Sequence, residues 1–489
     1  MKIRRIPAFG TFALAMMNVA AVMNLRGLPM IAREGLSMVF YILFASLFFL
    51  IPVCLVSAEL ATGWPKSGGV YRWVKEAFGP RWGFLSIWLQ WIQSVIWFPV
   101  ILSFTAGSFS YFLLRPDLAD NRYFNIFVIL VAYWGATIVT FRGLKTAGRL
   151  TTAGVILGTV LPGILVIVLA AAWVIQGNPV GFMESPQGIV PDFSNFDRIS
   201  FLAGIMLLYS GMEVGAVHVT ELKDPMREYT RSLLLGVFLI IIIFSFGSLA
   251  IAAVLPGQSI SLTAGIMQGF DDLLTRFDAR WLLPFLGLSI AFGALGSVMA
   301  WISGPSRGLL AAAEDGDLPP FLARTNNNGI QTHILVLQAA IVSVISLVYV
   351  VAPSVSSAFF MLSDLAAILY LIMYIFLYAA AVRLRYSQPG VVRSYRIPGG
   401  NAGMWAVAGI GTAAVVFAAV VGFFPPSLLA VGTPAFYVGF LAGGTIFFVA
   451  APLLIYAFRR PGWKGRRGPD AASPGGPAHT ATRRVPEGR

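Results

Sequence analysis

Apolar stretches of about twenty residues follow one another along nearly the whole chain, separated by short polar turns. A backbone in hydrocarbon must satisfy its own N–H and C=O groups, and a helix does this within one segment. At 1.5 Å per residue, about 20 residues cross the ~30 Å core of a bilayer. Such windows fall at about 9–31, 37–61, 82–114, 123–141, 147–176, 199–221, 230–255, 280–312, 331–352, 356–384, 403–423 and 432–458. They predict an all-α polytopic membrane protein of about 12 transmembrane helices, referred to below as spans 1 to 12. A content of 57% hydrophobic and 11% charged residues over 489 positions is too apolar for a soluble multidomain chain. Strand-period alternation is absent, which argues against a β-barrel. Span 1 follows Lys2, Arg4 and Arg5 as a signal peptide would. It runs on through Asn24 and Arg26 without a small-residue cleavage site, so it reads as a helix that stays.

The formal charge of +13 does not form one basic surface. Basic residues collect in alternate loops: Lys2, Arg4 and Arg5; then Lys66, Arg72, Lys75 and Arg81; then Arg142, Lys145 and Arg149; and again from Lys223, at Arg324, from Arg383 to Arg396 and after Arg459. The intervening loops carry Asp117, Asp120, Glu184, Asp192, Asp197, Asp271, Asp272 and Asp278. The positive-inside rule then places both termini in the cytoplasm; the expected location is the cell inner (plasma) membrane, with lipid and not nucleic acid as its surroundings. Cys54 is the single cysteine, so neither a disulfide framework nor a thiolate metal site is available. His218, His333 and His479 are dispersed, and Gly68-Gly69 lacks the spacing and lysine of a phosphate loop. No metal, cofactor, nucleotide or catalytic set is expected, and the oligomeric state is left open.

Two spans are interrupted at membrane depth, span 1 near Met23-Asn24-Leu25-Arg26-Gly27-Leu28-Pro29 and span 6 near Tyr209-Ser210-Gly211-Met212-Glu213. Such breaks survive only where protein or a polar cavity replaces the lost backbone partners, and a pair in corresponding positions marks a substrate site. Spans 1–5 (about 9–176) and 6–10 (about 199–384) form two sets of five, each opening on a break. Sets with an odd number of crossings insert in opposite orientation, which makes an inverted repeat. Spans 11 and 12 (about 403–458) are additional; residues 1–8 form a cytoplasmic N-terminus and 459–489 a disordered basic cytoplasmic tail. The tail arginines either touch anionic lipid or are simply solvated.

In span 1, Gly27 relaxes steric limits and Pro29 disfavours helix at Leu28, so freed amides there suit a carboxylate. Arg26 offers a planar fork of donors for two-point carboxylate binding; its alternatives are the outer interface or a pair with Glu34. In span 6, Glu213 lies between Gly211 and Gly215, where it either takes up protons or locks the helix, and carbonyls around Tyr209 and Ser210 can receive an ammonium group. His218 reads as a packed residue. Ser297 and Trp301 share a face of span 8 at i, i+4, beside Gly293 and Gly296, which serve either close packing or ligand space. Asp364 is a second intramembrane acid and a candidate for ion or proton coupling, unless Ser363 merely helps to solvate it in an outer vestibule. Glu59 and the stretch from Gly63 to Trp73 read as a gate or hinge.

Leu25-Arg26-Gly27-Leu28-Pro29, Ala58-Glu59-Leu60-Ala61-Thr62, Gly68-Gly69-Val70-Tyr71-Arg72-Trp73-Val74, Tyr209-Ser210-Gly211-Met212-Glu213 and Gly304-Pro305-Ser306-Arg307-Gly308 combine into a pattern that resembles the amino acid-polyamine-organocation superfamily. Within it, the resemblance is nearest to the glutamate/γ-aminobutyrate antiporters. It implies a LeuT-like fold, alternating access without ATP, and an amino acid held between spans 1 and 6. Carried onto this chain it implies substrate contacts at Asn24, Leu25, Arg26 and Gly27, at Tyr209, Ser210, Gly211 and Glu213, and at Ser297 and Trp301. Those antiporters have a tyrosine and an acid near the positions of Arg26 and Ser297. That difference favours an acidic substrate here. The segment after Arg459 has only His479, so a pH-operated tail plug is not implied. The reading is amino acid antiport, with proton-coupled symport as the alternative; a sensor, a channel or a membrane enzyme fits less well.

Overall fold

A computed structural model describes residues 15, 18–19, 21–65, 68–181, 188–194, 196, 199–215, 225–255, 259–426 and 429–463. Ten of its helices are long and apolar enough to cross a membrane. In chain order the elements are α1 (Gly27–Ala32), α2 (Gly35–Gly63), α3 (Val70–Phe78), α4 (Pro80–Phe112), α5 (Arg122–Phe141), α6 (Gly148–Ile175) and α7 (Phe201–Leu208). They continue with α8 (Pro225–Val254), α9 (Gly265–Arg276), α10 (Leu283–Glu314), α11 (Thr332–Val351), α12 (Val355–Ser387), α13 (Gly400–Val421) and α14 (Pro434–Ala457). The ten continuous spans correspond to all those expected except spans 1 and 6, whose described remnants are α1 and α7. One interrupted helix and four continuous ones, the same again, then two more: this order fits the repeat of five plus five.

Two helices fall where the sequence reading has only connections. α3 follows α2, and α9 precedes α10; neither is long enough to span. Both are amphipathic, so each lays one apolar face on the bundle while the other stays polar.

Burial ranks the spans. The most apolar window of α4 is 94% buried inside the protein, whereas that of α14 is 11% buried and leaves its surface to lipid. α4 packs against α10 and α12 and forms the axis of the bundle. Close helix approach explains Gly293: a methyl there would sit 2.6 Å from the carbonyl carbon of Gly158 in α6, so these two backbones touch. Of the two roles open for Gly293, the geometry selects packing.

Charged groups hold the connections. Arg385 at the end of α12 makes a two-point pair with Glu59 of α2, Nε to Oε1 at 2.5 Å and Nη2 to Oε2 at 2.6 Å, and Ile397 N–H donates to Glu59 Oε2 at 2.8 Å. Elsewhere Asp315, just past α10, accepts from Lys75 Nζ at 2.6 Å, Tyr71 Oη at 2.8 Å and Arg72 Nη1 at 3.1 Å, all on α3. Asp317 lies 3.0 Å from Tyr71 Oη and pairs with Arg459 at 3.3 Å. Arg459 is therefore tied to the bundle, residues 460–462 are exposed, and the expected tail beyond residue 463 lies outside the described residues.

Burial alone would raise the Asp315 carboxyl, but the hydrogen bonds from Lys75 and Tyr71 and the charges of Arg72 and Lys75 together hold it below the usual carboxylate range. Burial lifts Asp317 above that range, with Tyr71, Lys75 and Arg459 offsetting part of the effect. A depressed folded value means that the stabilisation from Asp315 is present above the unfolded value of 3.8 and is lost as pH falls through the folded one. Asp315→Asn is expected to lower the thermal midpoint of the purified protein at neutral pH. The gap to wild type should close as pH falls below 3.8. A gap that is unchanged by pH would mean that the Asp315 charge does not carry the effect.

Candidate functional site

The break in span 1 runs from Met23 to Arg26, and helix resumes at Gly27. Leu28 is helical and Pro29 is the third residue of α1, where its missing N–H would have had no intrahelical partner anyway. The unwinding therefore lies upstream of the position that proline alone suggests. The freed amides are also taken: Arg26 N–H donates to Asn24 Oδ1 at 2.9 Å, Gly27 N–H to the Asn24 carbonyl at 3.1 Å, and Leu28 N–H to the Leu25 carbonyl at 3.2 Å. A side chain two residues back replaces the helical partner, as asparagine does in turns.

α10 supports the same break. Trp301 Nε1 donates to the Ala21 carbonyl at 2.9 Å, and Asn24 Nδ2 donates to Ser297 Oγ at 3.5 Å. The i, i+4 face expected for Ser297 and Trp301 is thus turned toward span 1. At Gly27 a methyl would lie 2.8 Å from Leu208 Cδ1, so glycine lets the two interrupted helices meet.

In span 6, α7 ends at Leu208 and Gly211 takes φ +114°, a conformation that other residues rarely adopt. Ser210 Oγ donates to the Leu207 carbonyl at 2.6 Å, closing one freed group. Gly211 N–H donates to Tyr374 Oη at 3.0 Å, and Tyr374 in turn donates to Glu213 Oε2 at 2.7 Å. Tyr370 Oη and Gln90 Nε2, the latter at 3.0 Å, donate to Glu213 Oε1. Three donors from α4 and α12 meet one carboxyl group. Glu213 thereby connects the broken segment to two continuous helices. His218 lies outside the described residues.

A cavity opens between the breaks. Of the residues singled out from the sequence, Asn24, Arg26, Ser210, Ser297 and Trp301 line it; Leu25, Gly27, Tyr209, Gly211 and Glu213 do not. Tyr209 stacks on Phe244 of α8 with ring centroids 4.9 Å apart, Gly211 lies under Trp301, and Leu25 faces Gly163 of α6. α4 contributes Gln93 and Trp97, one turn apart, which the sequence reading passed over. Gln90 and Gln93, polar residues within an apolar run, were the available signal.

Arg26 is 3% exposed. Its guanidinium carbon lies 5.7 Å from the Trp97 ring centroid and 5.6 Å from that of Phe359, within cation–π range of both. Arg26 is enclosed by protein and is not at its surface, and the cation whose charge acts on Glu34 is Arg33. Among the described residues no carboxylate pairs with Arg26. Arg26 Nε and Gln93 Nε2 are both buried donors without an acceptor. A buried cation and a buried amide left unmatched are costly unless something else brings the acceptors. Asp364 does not line the cavity; it is fully buried in α12, and Ser363 bonds its own helix at Phe359 and not the acid. Among the described residues, no group of His, Cys, Asp and Glu has the arrangement of a metal site.

Two interrupted helices meeting at a polar cavity inside a bundle of continuous spans define a membrane carrier for a small solute. Residues 9–450 match the family model described as amino acid permease, and the chain belongs to that family. It is 42% identical to an uncharacterized transporter of Legionella pneumophila, over 91% of this chain and 95% of the relative. It is 33% identical to a glutamate/gamma-aminobutyrate antiporter of Lactococcus lactis, over 93% and 90% of the two chains. A probable agmatine/putrescine antiporter of the same organism is more distant, at 21% identity over 80% and 83%.

Proposed function

We propose that this permease exchanges amino acids across the cell inner membrane by alternating access, and that an acidic amino acid is one of its substrates. The observation that carries the substrate class is the pair of unmatched donors on two residues that line the cavity, Arg26 Nε and Gln93 Nε2. A carboxylate answers both, and the guanidinium fork favours it over a neutral acceptor. Asn24, Ser210 and Ser297 supply further hydrogen-bonding groups on the cavity wall, and the Trp97 and Trp301 rings supply its apolar part. Glu213 acts at a distance by holding the span 6 break. The 33% identity to a glutamate/gamma-aminobutyrate antiporter supports exchange. The alternate loops rich in lysine and arginine support cytoplasmic termini. Relatives that are transporters weigh against an enzyme.

The test is counterflow into proteoliposomes loaded with one amino acid and offered a labelled panel. Saturable uptake that requires internal amino acid, with glutamate or aspartate among the best substrates, is the expected result. Uptake into unloaded vesicles driven by a pH gradient alone would replace exchange by proton symport, and chemically altered solute after incubation would point to an enzyme.

A further inference from the structure

Asp364 lies where five elements converge, away from the cavity. Its Oδ2 is 2.6 Å from Tyr437 Oη of α14, and the same hydroxyl is 2.8 Å from the carbonyl oxygen of Gly422 at the end of α13. Its Oδ1 has no hydrogen-bond partner and faces Gly204 of α7, where a methyl would come within 3.3 Å of that oxygen and would also meet Met30 of α1. Met30, Gly204 and Gly422 do not titrate, so Tyr437 is the titratable group that faces the acid among the described residues.

A tyrosine hydroxyl has a single proton to donate, yet this one has two oxygen neighbours. If Asp364 is ionised, Tyr437 donates to it and the Gly422 carbonyl at the helix end loses that donor, while a charge lies buried with no cation beside it. If Asp364 is protonated, Oδ2–H donates to Tyr437 Oη and Tyr437 O–H donates to Gly422, so each proton has one acceptor. Glu213 is the opposite case, with three donors directed at it, which suits a carboxylate.

We propose that Asp364 is a proton-binding site separate from the substrate cavity, whose protonated form latches α13 and α14 to the core beside α1 and α7. Movement of α1 or α7 away from Oδ1 lets water reach the acid and solvate its charge. Loss of the proton then releases the Gly422 bond. The site thereby makes one stage of the transport cycle sensitive to pH. Only this last consequence rests on the transport reading.

Infrared difference spectroscopy on the purified full chain tests the site directly. A carboxylic acid C=O band that is present at neutral pH, vanishes in Asp364→Asn and is unaffected by Glu213→Gln is expected. Tyr437→Phe, which keeps the ring but removes the acceptor of the carboxyl proton, should shift that band, and it serves if Asp364→Asn does not fold. In vesicles, a required protonation changes exchange by up to about tenfold per pH unit, and Asp364→Asn should flatten that slope while counterflow persists. Absence of a band that responds to Asp364→Asn or Tyr437→Phe, or a variant that keeps the full wild-type slope, overturns the proposal. A protein that shows the band but no amino acid counterflow would overturn the exchange reading and leave the proton site standing.

Discussion

Arg26→Ala is expected to cut uptake of acidic amino acids by about ten- to a hundredfold in apparent affinity, with a much smaller loss for neutral ones. A hydrogen bond to a charged group contributes about 1.5–3 kcal/mol, and each 1.4 kcal/mol is about a factor of ten. The effect is large because the guanidinium lies inside the protein, where solvent does not screen it, and because Gln93 is left as the remaining unmatched donor. Arg26→Lys should recover only part of the loss. It restores the charge but not the planar fork that grips two oxygens at once. Competition of a labelled acidic substrate by unlabelled acidic and neutral amino acids is the measurement. Equal losses for both classes would remove Arg26 from substrate selection and leave it as a packing residue between Trp97 and Phe359.

Glu59→Ala is expected to be the most damaging single substitution outside the cavity, destabilising the fold by about 3–5 kcal/mol. It leaves Arg385, which is 2% exposed, without the carboxylate that meets both Nε and Nη2, and it removes the acceptor of Ile397 N–H. Glu59 also faces Arg393, with Nε at 3.5 Å, so two cations lose their shared anion. Replacing both partners by methionine, Glu59→Met with Arg385→Met, should be milder than the single change, because Arg385 is then no longer a buried unpaired charge and only Arg393 loses its anion. Thermal unfolding in detergent, together with the yield of monodisperse protein, measures this. A Glu59→Ala protein as stable as wild type would show that the Arg385 guanidinium finds water or carbonyl partners sufficient to replace the carboxylate.

Much of the fold was legible because a bilayer leaves a chain few choices. Every span must run about twenty apolar residues and close its own hydrogen bonds, so run length and loop charge are visible without coordinates. α3 and α9 were not legible in that way, since an amphipathic helix that lies on a bundle carries no length signal. The breaks were visible as polar and small residues inside apolar runs, but their detail was not. Pro29 drew the unwinding toward Leu28, whereas Asn24 and the α10 side chains Ser297 and Trp301 hold it at Met23 to Arg26. Local propensity cannot report a partner that is 280 residues away, as Trp301 is from Ala21.

The division between the two levels is clearest for the acids and the arginine of the spans. From residue order alone came a polytopic helical carrier with two interrupted spans and the chemical types placed near them, because hydrophobic periodicity and helix-breaking residues act locally. Tertiary structure sorted those residues into roles. Arg26 and Gln93 line the cavity with Arg26 Nε and Gln93 Nε2 unmatched, Glu213 is enclosed by Gln90, Tyr370 and Tyr374, and Asp364 meets Tyr437 away from the cavity. The physical reason is that the cost and the use of a buried charge depend on which groups reach it, and those groups come from helices 73 to 161 residues away in the chain.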